Sequence, residues 1–394
     1  VKRGVRFALR EERNLVLVAV AAGWFLSLGV RMMYPVLVPY IRTAYSLDLG
    51  TTGLLLTVLW GAYALGQLPG GVLSDEFGER RVLASSTLLS AVMLTLVIIA
   101  DYTAVLFITT ALFGFTTALY GVARYTAISK VFPERDGAAI GITLAAGNFG
   151  NAVLPAIAGG IAAAFLWELG FGFVVPLFVL VGVFLWMVIP QSVTGTGGDT
   201  FSWSTARNVF SELFRMEVLL VTVMLIFAIS VWQTFTGFYP TYLVEVKDLS
   251  PTAAAGLYSF FFGLAIVVQP FAGTVYDRLG IRRTLPLFFT AAAVGFALLY
   301  FVTGVWALAG VTVLLGCITS TMAVTMPYLT DVLSEEIQGT GLGMLRTIYM
   351  LIGAASPTIF GTIAELGYFE IGFSGLGLLV VAMTGIALGL PEQP

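Results

Sequence analysis

From Thr284 to Thr330 this chain carries no charged side chain. A membrane-spanning helix needs about 20 mostly apolar residues, so this one run is long enough for two. A short turn at Thr303-Gly304 is the natural place to divide it. The rest of the chain follows the same rule: long apolar windows, separated by short clusters of charge or by glycine and proline. Reading those windows gives twelve spans, at about 14–42, 50–74, 82–100, 103–131, 137–167, 172–190, 217–244, 252–277, 283–301, 305–332, 339–367 and 371–390. The expected fold is therefore an all-α polytopic membrane protein.

Composition agrees and excludes other classes. Only 10% of residues are charged and 58% are hydrophobic, whereas a soluble domain carries about 25% charged residues. A formal net charge of -3 offers no basic face for nucleic acid. The single cysteine, Cys317, rules out an internal disulfide and a cysteine-based metal site, and within its apolar run it is expected to be a small buried side chain. There is no histidine, hence no histidine metal ligand, general base or proton relay. Phosphate-cradling loops and nucleophile–base pairs are also missing, so neither an enzyme nor a cofactor is expected.

The chain opens on a basic segment rather than a signal peptide, and its first span is expected to be retained. Basic residues fix the orientation. Lys2, Arg3, Arg6, Arg10, Arg13, Arg80, Arg81, Lys130, Arg135, Arg207, Arg215, Arg278, Arg282 and Arg283 fall on one side, and only Arg42 and Lys247 fall in the opposite loops. Both termini are expected in the cytoplasm, as an even number of spans requires. Residues 191–216 form the one sizeable polar stretch, read as a cytoplasmic linker with a short interfacial helix at about 203–215. It separates a six-helix bundle at 1–190 from another at 217–394.

The two halves are related. GGVLSDEFGERR at 70–81 returns as AGTVYDRLGIRR at 272–283, displaced by 202 residues. Both read G-x-x-x-D-x-x-G-x-R-R, through Gly71, Asp75, Gly78, Arg80 and Arg81, then Gly273, Asp277, Gly280, Arg282 and Arg283. At the same offset Tyr40 matches Tyr242, Gln67 matches Gln269, Gly137 matches Gly339, Gly141 matches Gly343, Pro155 matches Pro357, and Gly159 matches Gly361. Duplicated halves with a charged loop in register are the anatomy of a secondary transporter.

Twelve spans in two parallel halves, a middle linker and this loop after span 2 resemble the major facilitator superfamily, across essentially the whole chain. FPERDG at 132–137 is similar to that family's loop between spans 4 and 5. The resemblance implies a central cavity that opens alternately to each side and is lined most closely by spans 1, 4, 7 and 10. It also implies that Asp75 and Asp277, with the adjoining arginines, latch the cytoplasmic side in the outward-open state. A carboxylate at a membrane edge is costly unless paired, so Asp75 is expected to face Arg80, Arg81 or the N-terminus of a neighbouring helix.

Three arginines lie inside spans: Arg31, Arg124 and Arg346. Ionisable groups at that depth face a cavity or a partner. Arg31, in span 1, has no acidic residue within four positions, and its repeat counterpart in span 7 is Gln233. A guanidinium and an amide across a central cavity suit a carboxylate or another oxyanion. Arg124, in span 4, is either a second anion contact or part of the inner vestibule. Arg346 and Asp331 are read as a structural ion pair or, with Asp331 reaching Arg282 or Arg283, as part of the gate. Tyr34, Tyr120, Trp232 and Tyr239 are candidate cavity aromatics; Asn148 and Asn151 interrupt a glycine-rich span 5 and are either substrate contacts or inter-helix glue.

Spans 1, 4, 7 and 10 carry no carboxylate in their central regions. The arginine of an early R-x-x-x-G in span 4 is replaced by Thr110. Both absences set this chain apart from proton-coupled members. The expected function is alternating-access transport of a small carboxylate-like anion by a monomer in the cell membrane. The alternatives are export of hydrophobic or drug-like compounds, lipid flipping, and a non-transporting scaffold or receptor. Two intact gating loops argue against the last.

Overall fold

Buried in lipid, a backbone has to satisfy its own hydrogen bonds, and the helix does this within one segment. In the computed structural model, residues 2–133, 136–190, 215–333 and 338–391 are described, with side chains from 13 onward except at 136 and 338–340. They form α1 (Lys2–Tyr45), α2 (Leu49–Phe77), α3 (Glu79–Ile98), α4 (Thr103–Val131), α5 (Asp136–Ala164) and α6 (Trp167–Val188). Then come α7 (Met216–Glu245), α8 (Pro251–Leu279), α9 (Ile281–Phe301) and α10 (Val305–Val332). The chain closes with α11 (Gln338–Ala354, continuing as Ser356–Ile363) and α12 (Phe369–Gly389). The polar stretch read as a linker with an interfacial helix lies mostly outside the described residues.

Helix breaks fall where backbone chemistry demands them. Gly78, Gly280 and Gly304 have φ of 84°, 71° and 84°, a region open to glycine at little cost. The first two are the second glycines of the repeated loop, and the third divides α9 from α10 as expected. Gly341–Gly389 is one continuous apolar stretch by length and hydropathy. It is nonetheless two helices: Gly367 has φ 90° inside a π turn at Ala364–Tyr368. Phe360 on one side of that turn packs 5.2 Å from Phe373 on the other, so the chain doubles back.

The chain divides into two compact units: Val1–Ser46 with Val58–Gly198, and Leu47–Thr57 with Asp199–Pro394. The boundary departs from the expected 1–190 and 217–394 in one respect: Leu47–Thr57, the start of α2, groups with the second unit. There a Cβ on Gly53 would lie 2.1 Å from Pro357 O, and Thr358 Oγ1 donates to Thr57 Oγ1 at 2.7 Å.

Within the first unit, α1 and α5 meet backbone to backbone. A Cβ on Gly150 would lie 2.3 Å from Phe25 O, and one on Gly147 would lie 2.3 Å from Trp24 Nε1. Between α2 and α4 a Cβ on Gly114 would lie 2.3 Å from Leu59 O. Such small-residue seams let membrane helices gain dispersion contact where the hydrophobic effect gives none. Trp24, Leu83, Tyr120 and Leu185 form part of the resulting core. Cys317, expected to be buried, is half-buried.

Candidate functional site

Arg31 and Arg124 are each 1% exposed. Arg31 turns back along α1, and its Nε donates to Ser27 O at 3.0 Å. Its guanidinium carbon lies 3.7 Å from the ring centre of Tyr63, 5.2 Å from that of Trp60 and 5.9 Å from that of Trp24. Arg124, on α4, lies 3.7 Å from the centre of the same Trp24 ring and 4.0 Å from Tyr125. Its Nη1 donates to Thr143 Oγ1 at 3.2 Å. Tyr120 stacks on Trp24 at 6.4 Å with 14° between planes, and its hydroxyl donates to Val20 O at 2.8 Å.

The energetics favour this arrangement. A guanidinium at the centre of a spanning helix costs about 2.5–3.5 kcal/mol on an insertion scale. Each desolvated cation–π contact returns about 2 kcal/mol, and Arg31 has three such rings within reach. Aromatic rings engage the flat face of a guanidinium. Its N–H groups point outward in its plane, the direction from which a carboxylate or similar oxyanion is bound side-on.

The indole N–H of Trp24, in a residue 4% exposed, has no hydrogen-bond partner among the described residues. The first unit therefore gathers two cations and an indole donor around one ring, which is chemistry for an anion.

The other sequence candidates are distributed differently. Tyr34 is buried within the first unit, 4.7 Å from Phe171, and shares a 3.5 Å hydrogen bond with Thr110 Oγ1. In the second unit Tyr239 stacks 4.5 Å from Phe235 and shares a 2.7 Å hydrogen bond with Thr312 Oγ1. Both tyrosines thus spend their hydroxyls on helix-to-helix contacts. Gln233 is 1% exposed, and its Oε1 has no hydrogen-bond partner among the described residues. Trp232 packs edge-on 6.3 Å from Phe262. Asn151 is buried with Oδ1 lacking such a partner among the described residues, and Asn148 is half-buried.

In the gating loops the acids and arginines differ in burial. Asp75 and Asp277 are exposed and form no ion pair among the described residues, with Arg80, Arg81 or otherwise. Arg81, Arg282 and Arg283 are exposed as well, whereas Arg80 stacks 4.8 Å from the Trp186 ring of α6. Glu79 is the acid that turns inward: it is 2% exposed and paired with Lys130 at the end of α4. The cause is the positive φ of Gly78, which restarts the helix so that Glu79 occupies its first turn. An acid there is favoured by the helix dipole. Gly71 and Gly273 meet no close neighbour that a Cβ would displace. Asp331 is exposed at the end of α10 and Arg346 is half-buried on α11.

The Major Facilitator Superfamily family model matches residues 19–357 and 250–394. The chain belongs to that superfamily. The twelve helices among its described residues, its duplicated halves and its repeated loop are those of a membrane transporter, and related proteins of known kind are transporters too. It is 24% identical to a probable sulfoacetate transporter of Cupriavidus necator, covering 94% of this chain and 92% of that protein. It is also 24% identical to a hexuronate transporter of Bacillus subtilis, covering 87% and 86%. Among solved structures, a bacterial homologue of the human lysosomal transporter Spinster superposes with a TM-score of 0.82 at 15% identity, covering 96% and 97%.

Of the rings Trp24, Trp60, Tyr63 and Tyr120, sequence reasoning found Tyr120 alone, along with both arginines. A signal was present in the repeat. At the 202-residue offset these four correspond to Ile226, Phe262, Ala265 and Met322, while Arg31 corresponds to Gln233 and Arg124 to Met326. Tyr40, Gln67, Thr110 and Pro155 keep their identities in the other half. Architecture is duplicated here and the cage is not.

Proposed function

We propose that this transporter moves a small anion, a carboxylate or another oxyanion, held by Arg31 with help from Arg124. The observation that carries the reading is the pair of buried guanidiniums against one indole. Gln233 on the second unit is assigned to the uncharged part of the substrate or to an acceptor–donor contact with it. The reading is supported by relatives named for sulfoacetate and hexuronate, both anionic at neutral pH. The protein works by alternating access as a monomer in the cell membrane, with both termini cytoplasmic, as its arginine and lysine distribution favours. Asp75 and Asp277 serve the cytoplasmic latch.

A second reading has an observation of its own. Leu17, Val18, Ala21, Ala22, Phe25, Ile142, Ala146 and Phe149 line an apolar groove of about 370 Å³ between α1 and α5, which suits a hydrophobic cargo. Ligands that bind the folded state raise its apparent stability, so thermal unfolding against small anions and lipophilic drugs separates the two. Stabilisation by anions that vanishes in Arg31→Ala supports the first reading. Stabilisation by drugs alone, unchanged in Arg31→Ala, replaces it with the second.

A further inference from the structure

We propose that the first unit holds the headgroup of an anionic phospholipid where α3 begins and α6 ends, at Arg80 and Trp186. The site is separate from the substrate chemistry above and does not depend on it.

Four observations carry it. First, Arg80 is a cation without an acidic partner. It is half-buried, its Nε is buried without an acceptor, and it forms no hydrogen bond or ion pair among the described residues. Its guanidinium carbon lies 4.8 Å from the centre of the Trp186 ring. A ring against the face of a guanidinium leaves the in-plane N–H fork for a phosphate.

Second, the start of α3 turns its positive charge outward. Glu79, the acid of this turn, is 2% exposed and paired with Lys130, whereas Arg81 is exposed. Asp75 and Glu76, the exposed acids near the end of α2, form no ion pair among the described residues.

Third, the surface that continues from the ring suits acyl chains. Trp186 lies in the last turn of α6 and is 47% exposed. Leu180, Val183 and Met187 extend its face at helical spacing and are exposed as well. Only 28% of the most apolar stretch of α6 is buried inside the molecule, the smallest share of any candidate span among the described residues. A tryptophan at the end of a span lies at headgroup depth, where basic residues attract anionic lipid. The phosphate then meets Arg80 and one chain follows Val183 and Leu180. A free phosphate would use the cation alone and leave this stripe without a role.

Fourth, the second half supplies a comparison. At the repeat offset Arg80 corresponds to Arg282, but Trp186 corresponds to Leu388. The arginine is kept in both halves and the ring is added in one.

The test is tryptophan fluorescence of the purified full chain in bilayers. Dibrominated phosphatidylglycerol or dibrominated phosphatidylcholine serves as the quenching lipid. Each variant is measured with and without Trp186→Leu, and the difference is the Trp186 signal. Phosphatidylglycerol is expected to reach that site with about fivefold higher affinity than phosphatidylcholine, the ratio given by about 1 kcal/mol per basic residue. Arg80→Gln is expected to make the two lipids equal, Arg80→Lys to keep part of the preference, and Arg282→Gln to leave it unchanged. Raising the ionic strength of the parent sample is expected to shrink the preference, a check that needs no substitution. Equal quenching by the two lipids in the parent, or an undiminished preference in Arg80→Gln or at high salt, overturns the proposal. Displacement of the brominated phosphatidylglycerol by inorganic phosphate at constant ionic strength also overturns it, in favour of a free-anion site.

Discussion

The depth of a charge in the chain was readable, but its partners were not. Arg31 and Arg124 stand out because so few charges interrupt the spans. The rings that enclose them come from three helices and are drawn from a composition that is 13% aromatic, so no local pattern marks them. The gating loop shows the same limit. Its motif places charges at a membrane edge but does not say which one turns inward, because that depends on where Gly78 restarts the helix. The consequence is measurable. Glu79→Gln should lower the thermal unfolding midpoint, since it removes a buried carboxylate from both Lys130 and the first turn of α3. Asp75→Asn should leave the midpoint unchanged, since Asp75 is exposed. Equal shifts would show that the inward position of Glu79 has no energetic weight.

At the scale of helices, the repeat was the most legible feature, and it reaches into details beyond the motif. Tyr45, the last residue of α1, and Lys247, two residues past the end of α7, are separated by the repeat offset. Tyr45 donates to Ala100 O and Lys247 to Tyr300 O. One task, tying the end of the first helix to the turn between the third and fourth, is done by two chemically different side chains. Lys247 also pairs with Glu370 at 3.0 Å, adding α12 to the tie. Glycines of the helix seams were legible as small residues but not by consequence, because a sequence does not show which of them faces a backbone. Gly150→Ala would drive a Cβ to 2.3 Å from Phe25 O and should cost about 1–3 kcal/mol, as overpacking does. Gly160→Ala on the same helix meets nothing within 4 Å and should be neutral or stabilising by up to about 1 kcal/mol. Thermal unfolding of the two variants checks this, and equal destabilisation would contradict the close approach of α1 and α5.

For the whole molecule, fold and family were legible because a bilayer leaves little choice: twelve apolar windows and a duplicated loop specify two bundles. Of the substrate, the sequence supports only a proposed sign of charge. The cage adds an asymmetry, since the buried positive charge of the site lies in the first unit while the corresponding positions of the second are Gln233 and Met326. In the proposed alternating-access cycle the latch acts on movement rather than on binding. Asp75→Asn should therefore slow turnover while changing substrate affinity less than about twofold, well under the tenfold that 1.4 kcal/mol represents. Uptake rates and calorimetric affinities measured side by side check this, and equal transport rates in variant and parent would count against the latch.

The most direct test of the account is transport itself. The purified protein is reconstituted in liposomes, and counterflow of the most strongly stabilising radiolabelled anion is followed in the parent and in Arg31→Ala and Arg31→Lys. The account predicts counterflow in the parent, none above empty liposomes in Arg31→Ala, and weak counterflow in Arg31→Lys, which keeps the charge but loses the planar fork. Undiminished anion counterflow in Arg31→Ala would contradict it.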